Sequence, residues 1–377
     1  MRGFVDECLR IRAELELAGE AAAAGTAAAA ALERLPTLRR HRRSTLGRVL
    51  GGHLSDPRAR AALATLWPYQ GLPPSRASFL YFATLLLSYV ADGACYCRGT
   101  FQTLADQLAA AIEAAGGEVL LRAEVRRIVV EGGRARGVVL ENGQRIAAPA
   151  VVSNADLRQT ALELVGREHF GARWLERLAR LEPSVSAFVV YGATSLDLRR
   201  AGLAHETFRF PGFDHDESYA RALDGDPSWL TLTVPTLADP DLAPPGEHLF
   251  VATTLLGYEP PERWRRDKER LTERLLELAD GVVPGLRAAT TFCEGGTPRT
   301  MERYTRNEAG ALYGFALSPD QVGPGRPAAA APLPGLTLAG HWTQPGGGVY
   351  GVLASGVEAA RLVLGLPTQA ELWKSLA

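Results

Sequence analysis

The segment Leu336-Thr-Leu-Ala-Gly340 is a short apolar strand that runs through His341-Trp-Thr-Gln-Pro345 into glycines 346, 347 and 348, then into a small-residue helix from Val349 through Ala360. Glycine permits positive φ and close backbone approach. The amides that open the helix near Val349 carry the positive end of its dipole. A strand, turn and helix of this kind suit a flat ligand whose edge carries negative charge.

Further segments carry a related pattern: Ser55-Asp-Pro-Arg-Ala-Arg60, Tyr69-Gln-Gly-Leu-Pro-Pro-Ser-Arg76, Tyr96-Cys-Arg-Gly-Thr-Phe-Gln-Thr-Leu-Ala-Asp106, Val151-Val-Ser-Asn-Ala-Asp156, Gly296-Thr-Pro-Arg-Thr-Met-Glu-Arg-Tyr304 and Gly310-Ala-Leu-Tyr-Gly314. Together with the glycine segment they resemble the FAD-dependent superfamily of bacterial phytoene desaturases, carotenoid isomerases and retinol saturases, over nearly the whole chain. The resemblance implies an α/β (α+β) fold, with an incomplete FAD/NAD(P)-binding Rossmann-like domain interleaved with a mixed-sheet, helix-rich substrate domain. It implies FAD as cofactor, with the flavin N1/C2=O edge at the amides near Val349.

On that resemblance the cofactor-binding residues are Val125, Asn154, Gly340, His341, Gly346, Gly347, Gly348 and Val349. Val125 lies on the strand whose backbone reads the adenine edge in such flavoproteins; its sequence equally suits a plain core strand. His341 stands where many relatives carry an acidic residue near the ribityl chain. Its imidazole can hydrogen-bond a ribityl hydroxyl or a phosphate oxygen, or can simply pack the turn with Trp342.

Such flavoenzymes begin with a strand, a G-x-G-x-x-G turn, a helix and a second strand ending in an acid. Residues Met1 to Arg10 are charged and helical in pattern instead. Gly346-Gly-Gly-Val-Tyr-Gly351 satisfies G-x-G-x-x-G literally, but five residues separate it from the preceding strand and no acid-terminated strand follows. The pyrophosphate cradle and the ribose-binding carboxylate are therefore expected outside these residues, on an upstream stretch or a partner chain.

A chain of 377 residues, 46% hydrophobic with a net charge of −1, predicts two domains with a substantial core and excludes an electrostatic nucleic-acid binder. Cys8, Cys95, Cys97 and Cys293 show neither disulfide-scaffold nor zinc spacing, which predicts buried spectator thiols in a reducing compartment. No metal-ligand spacing occurs among the histidines, and no Gly-x-Ser-x-Gly elbow is present. The longest apolar run, Phe79 to Val90, is short of the roughly 20 residues of a membrane span and predicts a buried helix. These features predict a cytoplasmic protein, with peripheral contact to the inner face of the membrane as a further expectation. The basic run Arg39-Arg-His-Arg-Arg43 suits either an acidic lipid or partner, or a solvated helix end.

Helices are predicted to about residue 93, interrupted at Gly25-Thr26, within alanine runs at 21–24 and 27–31, and at Pro36 and Pro73-Pro74. A helix over Thr103–Ala115 should then feed strands at 118–122, 125–130, 135–140 and 150–153, with Gly132-Gly133 and Asn142-Gly143 as tight turns. Strands at 184–191, 230–234 and 249–254 and a helix over 261–280 follow. Residues 94–156 and 295–377 are read as the partial FAD-binding domain, and 1–93 and 157–294 as the substrate-binding domain.

Two functions fit. One is an FAD-dependent oxidoreductase acting on C=C bonds of an apolar polyene or isoprenoid lipid, as an N-terminally truncated chain or one half of a split enzyme. The other is a non-catalytic relative that binds a polyene or a partner. No catalytic side chain stands out, because in this chemistry the flavin carries the electrons.

Overall fold

Gly132-Gly133 turns β1 (Val125–Glu131) back onto β2 (Arg134–Leu140), and Asn142-Gly143 turns β2 onto β3 (Arg145–Ala147), giving a three-stranded antiparallel sheet. Both turns are the dipeptides that two-residue hairpins favour. The chain is seen in a computed structural model that describes residues 1–23, 34–259 and 261–376. The Gly25-Thr26 break and the 27–31 alanine run lie outside the described residues.

Two compact units result, one of residues 1–91, 123–184 and 306–377, the other of 92–122 and 185–305. In the first, helices Arg2–Ala23, Pro36–His41, Leu46–His53, Pro57–Ala64 and Phe79–Val90 enclose a core of Phe4, Cys8, Ile11, Leu46, Leu50, Phe79 and Phe82. Each of the first turns after Pro36 and Pro57 places proline where a helix loses no hydrogen bond. The Phe79–Val90 helix buries Phe79, Phe82, Ala83 and Leu87, while Tyr89 and Val90 at its end are exposed.

The second unit carries a five-stranded sheet in the order β6-β7-β8-β5-β9. Its strands are β5 (Ser186–Thr194), β6 (Glu206–Arg209), β7 (Leu230–Thr233), β8 (His248–Leu256) and β9 (Thr290–Gly296), every pair antiparallel. The helix Pro261–Asp280 repeats Trp264, Leu271, Leu275 and Leu278 on one side. That stripe joins Phe188, Val190, Leu232, Phe250 and Ala252 in a single core, as an amphipathic period requires.

Three expectations are corrected. Residues 118–122 form no strand; among the described residues no strand lies beside them to satisfy their backbone, and a lone strand is not stable in water. The helix before them is Thr100–Ala114, and none of its residues is buried. Of the cysteines only Cys8 is buried. Cys95 and Cys97 lie in an irregular stretch ahead of Gly99, and Cys293 is on the edge strand β9.

The first unit closes with β10 (Leu336–Leu338), which pairs in parallel with β4 (Val151–Ser153), and with the helix Val349–Val363. Among the described residues β4 has no second neighbour, and Val152 at its centre is 49% exposed.

Candidate functional site

All eight sequence-predicted site residues fall in the first unit, and six of them form one continuous turn. β10 hands over to Gly340 at φ +86°, a left-handed conformation that disfavours a side chain. A Cβ on Gly340 would lie 1.8 Å from the Asn154 side-chain oxygen, so glycine here lets Asn154, just past β4, lie against the end of β10. The Gly340 amide donates to Ser355 Oγ at 2.8 Å, and the Ala339 amide to the Ser153 carbonyl at 2.9 Å. Strand end and helix are thereby stitched together. Val125 opens β1 opposite Leu140 and is partly buried.

His341 sits within a protein network. Nδ1 donates to the Leu312 carbonyl at 3.2 Å, leaving Nε2 to accept from the Asn307 amide at 3.3 Å. Asn307 in turn accepts from Trp342 Nε1 at 3.2 Å. Burial, with the Arg326 charge adding to it, pushes the His341 imidazole down to about 4, so the ring is neutral at pH 7. A His whose folded pKa is depressed stabilises the fold above its unfolded pKa, near 6.5, and loses that contribution as pH falls toward 4. The span amounts to about 3 kcal/mol. Urea midpoints are therefore expected to fall from pH 6.5 to pH 4, and His341→Gln should flatten that limb; an unchanged slope in the variant would refute it.

The turn rests on Arg326, a residue that sequence reading did not single out. It is 0% exposed and has no carboxylate partner among the described residues. Its guanidinium donates to the carbonyls of Tyr313 (2.7 Å), Phe315 (3.0 Å), Gln321 (3.2 Å) and His341 (3.1 Å from Nε). Burial lowers its pKa to about 10, which still leaves a cation at neutral pH. Gln344 returns a hydrogen bond to the Arg326 carbonyl at 2.8 Å, and Tyr81 donates its hydroxyl to the Gly347 carbonyl at 2.6 Å. Gly346 and Gly347 are buried behind this frame, packed on Tyr81 and Tyr313 respectively.

Gly348 and Val349 face the other way. Gly348 is exposed at φ +81°, and a Cβ there would meet no atom within 4 Å. The amides of Gly348, Val349 and Tyr350 donate to no acceptor among the described residues. Three free N–H groups at the positive end of a 15-residue helix form an anion-seeking surface.

Elsewhere the sequence candidates separate. Gly99 turns at φ +75° and its amide donates to Asp239 at 2.8 Å. Arg98 is exposed. Glu302 accepts from the Tyr258 hydroxyl at 2.5 Å near the surface, and Arg303 and Tyr304 are exposed.

A parallel strand pair that ends in a left-handed glycine and delivers free amides at a helix start is an arrangement by which α/β domains hold anionic cofactor groups. The chain belongs to the flavin containing amine oxidoreductase family, whose profile matches residues 6–364. FAD is the cofactor that goes with this membership. Among similar proteins is the phytoene dehydrogenase of Streptomyces griseus, 33% identical over 328 residues, covering 84% of this chain and 62% of that protein. A neurosporene-forming phytoene desaturase of Cereibacter sphaeroides is 30% identical over 83% of this chain and 62% of its own. The chloroplastic prolycopene isomerase of Arabidopsis thaliana is 28% identical over 69% of this chain and 44% of its own. The chain thus spans from under a half to about three fifths of the length of these curated relatives. An oxidoreductase from Methanosarcina mazei superimposes with a TM-score of 0.63 at 21% identity, over 84% of this chain and 68% of that one. Putrescine oxidase bound to putrescine gives 0.61 at 16%, over 87% and 70%. These two likenesses show the fold.

The residues present fit the ring end of FAD at its backbone: free amides and an open Gly348 lie on one turn, while both ring nitrogens of His341 are taken by Leu312 and Asn307. A strand followed directly by G-x-G-x-x-G is absent from the sequence. Among the described residues no helix is long and apolar enough to cross a membrane.

Proposed function

We propose that this chain is the larger part of an FAD-dependent oxidoreductase acting on C=C bonds of an apolar polyene or isoprenoid lipid. Its nucleotide-gripping G-x-G-x-x-G unit then comes from polypeptide outside these residues, as an upstream stretch or a separate partner chain. The observation that carries the reading is the set of amides at Gly348, Val349 and Tyr350 without an acceptor among the described residues, at the end of a parallel strand pair in which β4 has no second neighbour among those residues. Parallel sheets are normally covered on both faces, so the half-exposed Val152 of β4 suits a face that further polypeptide covers. The same holds for the Thr100–Ala114 helix: Phe101, Leu108 and Ile112 are each 49% exposed, and Leu121 beyond it 84%. An amphipathic helix draws most of its stability from burying such a face.

Bound FAD supplies the hydride or electron chemistry. The chain's own residues would supply the rest: the amides from Gly348 to Tyr350 would hold the anionic part of the flavin, Val125 would serve the adenine, and Gly340 and Asn154 hold the strand end. We assign cofactor contacts to 94–156 and 295–377 and substrate contacts to 1–93 and 157–294, a division by role that cuts across the two compact units. A cytoplasmic protein that touches the inner membrane face to collect its lipid substrate fits this chemistry.

The second reading, a non-catalytic polyene- or partner-binding relative, is favoured by the occupied ring nitrogens of His341, which leave that side chain less to offer a cofactor. The genomic DNA upstream of Met1 separates the two. An in-frame strand with G-x-G-x-x-G, or a neighbouring short frame bearing it, supports the oxidoreductase; neither supports the binding protein. With the completed protein, carotenoid and retinoid polyenes should show shifts of their absorbance bands on turnover. Uniformly unchanged spectra across that panel would sink the substrate assignment.

A further inference from the structure

The helix Pro36–His41, the loop that follows it and the helix Leu46–His53 enclose a concavity of about 340 Å³ lined by Arg40, His41, Arg43, Arg48, Gly52 and His53. Its neighbours Arg39 and Arg42 are exposed as well. The carboxylates behind the wall are already spent: Glu7 accepts from His41 Nε2 at 2.6 Å, pairs with Arg40 at 3.4 Å and is bonded by Arg10, and Glu14 accepts from the Thr37 and Leu38 amides at 2.9 and 2.8 Å. Burial alone would raise the Glu7 carboxyl, but the hydrogen bonds from Arg10 and His41 bring it down to about 2, so it is fully ionised and matched. At the rim, Arg43 pairs with Asp320 at 3.7 Å, with both side chains largely in solvent; such a pair contributes little. Arg48 and His53, both exposed, complete the lining.

Several guanidinium groups held around one recess by two helices raise its potential in a chain whose net charge is only −1. His41 is fixed from behind by Ser44 and Glu7, and Gly3 lets His53 seat against the first helix, its Cβ position being 3.1 Å from His53 Nδ1. Gly52 leaves the floor open, since a Cβ there would meet nothing within 4 Å. Guanidinium forks match phosphate oxygens in geometry as well as charge. We propose that this recess binds a phosphate-bearing anion, either the headgroup of an acidic lipid or a free di- or pyrophosphate group. The site stands on the first unit alone and is independent of whether flavin binds.

The test uses the purified chain, titrated with inorganic pyrophosphate in a calorimeter and, separately, floated with vesicles of phosphatidylglycerol in phosphatidylcholine. Arg48→Glu removes a fork, and Gly52→Glu puts a carboxylate into open space at an exposed helical position, where glutamate should not lower the unfolding temperature. Each is expected to weaken pyrophosphate binding by at least about tenfold, and raising salt should weaken the wild type too. Pyrophosphate binding with flotation that both variants abolish assigns the site to a lipid headgroup; pyrophosphate binding without flotation assigns it to a soluble phosphate. No heat from pyrophosphate, or heat unchanged in both variants, overturns the proposal.

Discussion

Arg326→Met is expected to destabilise the first unit by about 4 kcal/mol or more, because four carbonyls lose a charged donor at once and each unsatisfied buried group costs about 1–3 kcal/mol. Methionine matches much of the buried volume, so the loss reads the hydrogen bonds rather than a cavity. Arg326→Lys should rescue only part of it, since one ammonium cannot reach carbonyls that a planar fork spans. Chemical denaturation followed by tryptophan fluorescence checks this, Trp342 lying beside the clamp with its indole N–H on Asn307. A loss below about 1 kcal/mol, the size of one ordinary hydrogen bond, would show that the guanidinium does not hold the turn.

Gly348→Val is expected to weaken flavin binding by about a hundredfold in the completed enzyme, a loss near 2.7 kcal/mol. The backbone at φ +81° and ψ 154° is a region that β-branched residues scarcely enter, at a strain of about 1–3 kcal/mol. The added side chain also projects into the open space before the free amides. Gly347→Ala is the comparison on the buried side of the turn: its Cβ would meet Tyr313 at 3.4 Å, ordinary contact. Flavin occupancy measured on both proteins, beside the unfolding midpoint of each, separates ligand approach from fold damage. Equal occupancy would refute a ligand at Gly348.

Much of this was legible from residue order alone. The Gly132-Gly133 and Asn142-Gly143 turns set the β1–β3 meander, and the apolar period of the 261–280 helix located it to its observed ends. The glycine turn was legible too, because three successive glycines before a small-residue helix have few other uses. Residues 118–122 misled for a physical reason: their β-branched and apolar composition reports a preference, while a strand also needs a neighbour to pair with. Arg326 was invisible because nothing local distinguishes one arginine among many. Its role arises from carbonyls at 313, 315, 321 and 341 that only the folded chain brings together. The spent charge of Glu7 behind the basic run is likewise a long-range fact, made by a helix pair more than 30 positions apart.

The most direct measurement is visible absorbance of the 377-residue chain purified with FAD, alone and after co-expression with a polypeptide carrying the strand and G-x-G-x-x-G unit of a relative. The chain alone should be colourless, and the assembly should show the flavin bands, lost again in Gly348→Val. A colourless assembly, or flavin held at full occupancy by the Gly348→Val protein, would contradict a ring system resting on the amides from Gly348 to Tyr350.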